Sequence, residues 1–183
     1  MKELSLNVLD IVQNSISAGA TDIEISLTED NNGILTVSIK DNGCGMSRKT
    51  LENVVNPFYT TRTTRKVGMG IPLFKLAAEQ TGGRLTITSV TAEESPEGHG
   101  TVVAAEFDTR HVDFTPIGDI VSTICTTIQG HPEIDYVFTH KTPNIDVRLD
   151  TAELRQVLGE DVLLSEFEVI SWISEYLKEQ YDN

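Results

Sequence analysis

The sequence predicts an α+β fold: a two-layer sandwich with helices on one face of a mixed, mostly antiparallel sheet. Three observations carry that expectation. TDIEISL and ILTVSIK alternate apolar and polar residues on either side of DNNG, the pattern of a β-hairpin. RLTITSV and TVVAAEF repeat the alternation further on. Segments with helical spacing stand before and between these pairs, an order that reads as an α+β sandwich.

The elements follow in order. Residues 3–18 read as a helix, because Leu4, Val8, Ile11, Val12 and Ile16 share one face and Gly19 supplies a stop. Asn7, Asp10, Asn14 and Ser17 form a polar stripe on the other side. After the hairpin comes D-N-G-C-G-M (41–46), then a short helix capped by Ser47 and running to Val55. PFYTTRTTRKVGMG is polar, threonine-rich and glycine-ended, and reads as a long ligand loop or lid. Residues 71–81 form the next helix, with Pro72 in its first turn and Gly82-Gly83 past its end. Beyond the second strand pair, Thr115-Pro116 should open a helix to about Gln129. DYVFTH and DVRL form another hairpin around Thr142-Pro143-Asn144, and Asp150 caps a short helix. Ser165 with Glu168 reads as a capping box for a last helix that presents Phe167, Ile170, Ile173 and Leu177.

The chain has 183 residues and a net charge of -14. No apolar run reaches membrane length, and MKELSLNVLD lacks a signal-peptide pattern, so a cytoplasmic protein without a membrane partner is expected. Cys44 and Cys125 make neither a metal spacing nor a disulfide framework. The acidic balance argues against nucleic acid as a partner. Residues 1–110 carry 14 acids and 10 bases, whereas residues 111–183 carry 14 acids and only 4 bases. This shift divides the chain into 1–110 and a small acidic α/β region, 111–183. Between Glu52 and Glu79 the trend reverses: there are no acids, but there are Arg62, Arg65, Lys66 and Lys75. Such an island suits a phosphate, or it is a solvated basic loop.

Asp10 and Asn14, four apart on a helix, could share one ligand: a carboxylate orienting water beside an amide oxygen holding a hard cation. D-N-G-C-G-M after a strand is either a plain turn or a place where glycines let backbone approach a ligand at which Asp41 points.

Four motifs occur in order: D-I-V-Q-N-S-I-S-A-G-A (10–20), D-N-G-C-G-M (41–46), P-F-Y-T-T-R with G-M-G-I-P-L (57–73), and G-H-G-T (98–101). Together they resemble the GHKL ATP-binding family of gyrase B, MutL and histidine-kinase ATPase domains, over about residues 4–108. The resemblance implies a Bergerat-type fold that binds ATP with Mg²⁺. It implies that Asn14 binds Mg²⁺, that Asp41 accepts from the adenine amino group beside Gly43 and Gly45, and that Thr101 lies near the base. Gly68 and Gly70 would bring backbone N–H groups to the phosphates at a helix start. Thr60, Thr61, Arg62, Arg65 and Lys66 would belong to the lid, with the phosphate-contacting cation left open among the last three.

Three departures bear on chemistry. The family's general base is usually glutamate, and Asp10 is one methylene shorter. Pro72 replaces a frequent glycine and removes an N–H donor. The first motif begins almost at residue 1, so no phosphoacceptor helix is expected upstream. His111, in HVDFTP, only faintly echoes a phosphoacceptor pattern. His131 and His140 read as turn or strand-end residues, His99 as exposed, and Cys44 as a small packed thiol. The resemblance therefore implies a signalling ATPase or protein kinase, comparable to the anti-sigma-factor kinases. The alternative is an ATP-gated, non-catalytic interaction module. Either needs a protein partner, and a homodimer is compatible with both. DNA repair in the manner of MutL fits the acidic charge poorly.

Overall fold

The computed structural model describes residues 3–56, 69–159 and 161–183. In chain order the elements are α1 (Leu4–Ser17), β1 (Asp22–Glu29), β2 (Ile34–Asp41), α2 (Arg48–Asn53), α3 (Gly70–Glu79), β3 (Arg84–Val90) and β4 (Gly100–Asp108). They continue with α4 (Ile120–Gly130), β5 (Asp135–Lys141), β6 (Asp146–Asp150), α5 (Thr151–Leu158) and α6 (Phe167–Asp182).

The six strands form one sheet in the order β3-β4-β2-β1-β5-β6. All neighbours are antiparallel except β1 and β5, so the sheet is mixed, as predicted. Strands β5 and β6, from the acidic region, extend the same sheet that β1–β4 begin.

Alternation sets the two faces. Ile23, Ile25 and Leu27 of β1 are buried, and register places them beside Asp41, Ile39 and Val37 of β2 and beside Tyr136, Phe138 and His140 of β5. Their sequence neighbours are exposed or half-buried. Helices α3, α1, α4 and α6 touch one another in that sequence, forming a single layer over the buried face. Val12, Phe74, Phe107, Phe138 and Ile173 are fully enclosed between the layers. Each such side chain contributes roughly 1.5–3 kcal/mol through burial.

The described elements of the first half match expectation, while residues 57–68 of the expected loop lie outside the described residues. Asp30 accepts from the N–H groups of Asn32 and Ile34 in the β1–β2 turn. Ser47 caps α2 through Thr50 N–H. In the second half Asp150 caps α5 through Ala152 and Glu153 N–H groups.

Two expected helix starts are corrected. The helix after Thr115-Pro116 begins only at Ile120, capped by Asp119 through Ser122 N–H. The intervening segment does other work: the Pro116 and Ile117 carbonyls accept from Leu4 and Ser5 N–H groups at the start of α1. Those donors have no partner inside their own helix. The last helix is entered at Glu166 with no side-chain cap, so Ser165 and Glu168 form no capping box. Of the expected apolar residues Phe167 is 80% exposed, whereas Ile173 and Leu177 are buried as expected, with Val169 beside them.

At the outer edge of β6, Arg148 N–H donates to Gln180 Oε1 (3.0 Å), and Gln180 Nε2 donates to the Arg148 carbonyl (3.1 Å). A side chain thus stands in for a neighbouring strand at the middle of a five-residue edge.

Candidate functional site

Asp41 ends β2 on the inner face, where the register aligns Ile23, Asp41, Thr101 and Ser89 across four strands. A carboxylate in a row of buried positions needs donors. Ser15 Oγ donates to Asp41 Oδ2 at 2.6 Å, and Gly43 N–H donates to Oδ1 at 2.9 Å. Each bond to the charged group is worth about 1.5–3 kcal/mol. A carboxylate offers about four acceptor directions, so capacity remains for a ligand donor. Asp41 retains 9% exposure, a narrow opening to the outside.

The loop after Asp41 is fixed at several points. Asn42 Oδ1 accepts from Thr21 and Asp22 N–H groups, and its amide donates to Thr21 Oγ1 and Asp22 Oδ2. Gly45 has φ +74°, and a Cβ there would lie 2.0 Å from the Val90 carbonyl oxygen, so only glycine fits. Met46 N–H donates to Ser89 Oγ, which lies 2.8 Å from Thr101 Oγ1. His99, expected to be exposed, is half-buried: its Nδ1 donates to the Gly43 carbonyl at 2.5 Å. Cys44, expected to be packed, is exposed. His111 lies in a turn before the linker and not on a helix.

The second cluster lies where α3 meets α1. Asp10 and Asn14 are half-buried. A Cβ on Gly70, the first residue of α3, would stand 3.2 Å from Asp10 Cβ and 3.9 Å from Asn14 Nδ2. The positive end of α3 therefore opens beside both side chains, where an anion is favoured. The polar stripe on α1 is divided by this packing. Asn7 is buried, with no partner for its amide nitrogen among the described residues, and Ser17 is exposed and bonds to the Gln13 carbonyl.

The structure thus brings Asp41, Gly43, Gly45 and Thr101 into one cluster, and Asp10, Asn14 and Gly70 into a second. Both clusters use α1, through Ser15 and through Asp10 with Asn14. Thr60, Thr61, Arg62, Arg65, Lys66 and Gly68 lie outside the described residues. Ser15, Asn42 and Ser89 were not singled out in the sequence. Ser15 had one legible signal, since it follows Asn14 on the helix that carries the first motif. Among the described residues, no group of three or more His, Cys, Asp and Glu side chains could hold a metal ion alone.

The arrangement suits an adenine nucleotide. One end offers a partly shielded carboxylate acceptor, and the other a helix start with an amide and a carboxylate beside it. Residues 2–111 match the profile of the histidine kinase-, DNA gyrase B- and HSP90-like ATPases, and the chain belongs to that family. It is 34% identical over 93 residues to the DNA mismatch repair protein MutL of Proteus mirabilis, covering 48% of this chain and 14% of that protein. It is 33% identical over 94 residues to the sensor histidine kinase CpxA of Escherichia coli, covering 49% of this chain and 19% of the other. The chain therefore spans less than a fifth of the length of these relatives. In fold it is similar to the Aquifex aeolicus MutL ATPase domain complexed with ADP, with a TM-score of 0.57 at 15% identity, covering 86% of this chain and 69% of that one. No helix among the described residues is long and apolar enough to cross a membrane.

Proposed function

We propose that this protein binds Mg-ATP and acts as a regulatory ATPase or protein kinase of signalling, serving a protein partner. The observation that carries this reading is the Asp41 carboxylate. It is fixed by Ser15 and Gly43, is open by 9%, and lies in register with Thr101. Its remaining acceptor capacity selects an exocyclic amino group, which adenine has and hypoxanthine lacks.

Asn14 would hold the magnesium ion through its amide oxygen. Mg²⁺ commonly takes few protein ligands and completes its shell with phosphate oxygens and water, which agrees with the sparse donor set here. When bound, the ion would neutralise phosphate charge and orient the terminal phosphate. The start of α3 at Gly70 would direct N–H groups toward the phosphates. Asp10 would accept a proton from, and align, a water molecule or a partner's hydroxyl.

A second reading has its own support. Asp10 carries a shorter side chain than the family's usual glutamate, and the 116–117 segment is hydrogen-bonded to the start of the same helix. Nucleotide occupancy could then be transmitted to the C-terminal region with little turnover. Incubation with γ-labelled ATP, following free phosphate and labelled protein together, separates the readings. Phosphate release lost in both Asp10→Asn and Asn14→Ala supports the enzyme. Saturable binding without release supports the nucleotide-gated module, and absence of binding overturns both.

A further inference from the structure

Among the described residues, the outer face of α6 is left open to solvent at an aromatic pair. Trp172 and Tyr176 stack with ring centroids 4.9 Å apart and planes 11° apart, yet remain 47% and 36% exposed. Glu168, Glu175, Glu179 and Asp182 are exposed and spaced seven, four and three residues apart, so they form one stripe beside that platform. None of the four is in an ion pair with a described residue. The helix's single lysine, Lys178, interacts electrostatically with Asp119 and Cys125 on the α4 side. The other basic residues of the region are engaged: Lys141 with Asp146, Arg148 with Asp150 and Glu153, and Arg155 with Asp135.

Like charges at i and i+4, as in Glu175 and Glu179, disfavour an isolated helix, and a large aromatic surface in water is unfavourable. One kind of occupant relieves both at once. A guanidinium or ammonium group attracts the face of an indole or phenol ring, and its neighbours can pair with the carboxylates. We propose that this face of α6 docks a basic segment of a partner protein, with an arginine or lysine over the Trp172–Tyr176 platform and further cations along the acidic stripe. The interaction needs no nucleotide, so it stands or falls apart from the activity proposed above.

Trp172 is the sole tryptophan, so its emission reports directly on this surface. The full chain is titrated, without nucleotide, with an amphipathic arginine–leucine peptide and with its glutamate–leucine counterpart. The expected result is a saturable, salt-sensitive emission change with the arginine peptide only. Glu175→Lys with Glu179→Lys should weaken it roughly tenfold or more, while Glu93→Lys with Glu97→Lys, the same charge change in a distant loop, should alter it less than about twofold. Helical circular dichroism confirms that each variant is folded. Equal response to the glutamate peptide, or equal weakening by both double variants, overturns the proposal in favour of general adhesion or net charge. Sedimentation showing that Trp172 emission follows self-association of the free chain overturns it in favour of a second copy on this face.

Discussion

Asp41 and His140 occupy equivalent kinds of position at two places on the same sheet. Both are polar, both lie on the inner face of the sheet, Asp41 in register with Thr101 and His140 between Leu27 and Val147, and both are nearly enclosed at 9% and 5% exposure. Asp41 receives a donor at each oxygen from α1 and from the loop beyond it. Among the described residues His140 has one hydrogen-bond partner, Tyr181 Oη at 2.8 Å from Nδ1, and its Nε2 has none. The first side chain is supported on every side and still opens outward, which is what a recognition group requires. The second is enclosed by the packing of α6 and is only partly satisfied. Burial of a polar residue therefore marks a site only when its surroundings hydrogen-bond it and leave it aimed outward.

Four expected outcomes sharpen or break this contrast, from the largest to the smallest. Asp41→Asn should lower ATP affinity on the order of a hundredfold, about 3 kcal/mol, with the fold intact, as measured by calorimetric titration. A loss below about threefold would remove Asp41 from recognition. Gly45→Ala should cost about 2–3 kcal/mol of stability, because a left-handed backbone and a collision with the Val90 carbonyl act together; urea unfolding measures it. Ser15→Ala should weaken ATP binding by roughly tenfold, since it removes one of the two supports of the carboxylate. Unchanged affinity would mean that Gly43 alone suffices.

The smallest effect concerns His140. Burial pushes its pKa below the ordinary histidine value, and the nearby Glu29 carboxylate only partly opposes this. A base whose folded pKa is depressed takes up protons more readily when unfolded. Its stabilising contribution is therefore complete above about pH 6.5 and is lost as pH falls from there toward the lower folded value. Thermal melts from pH 7.5 to 5.5 should show this decline, and His140→Leu should flatten it. A decline of the same size in His140→Leu would assign it to other groups.

The half of the chain that carries the motifs was legible in the sequence because local rules act there without competition. Alternation gave β1 to β4, Asp30 and Ser47 bonded where turn and cap chemistry place them, and Asp41 with its glycines stood out as a strand end built for close approach. The misread places are those where a distant element claims a local group. Pro116 and Ile117 would suit a helix start, but their carbonyls serve α1, some 110 residues earlier in the chain. Ser165 and Glu168 had the spacing of a capping box, yet the chain enters α6 one residue later. Ser15 had only its place beside Asn14 in the first motif to mark it; its role became visible once β2 placed Asp41 against it. His99 needed the fold to bring it to Gly43, 56 residues away.

The Gln180 side chain at the edge of β6 has a consequence for how copies of this protein could join. A sheet with two free edges can add neighbours at both ends without limit, as in a fibre. Here one edge has its central donor and acceptor already satisfied, which leaves β3 as the edge available among the described residues. Joining β3 to the β3 of a second copy would be edge-to-edge about a two-fold axis, and it would consume that edge in both copies. Growth by strand pairing among the described strands would then end at two chains, and Gln180→Ala is the change that would permit a third.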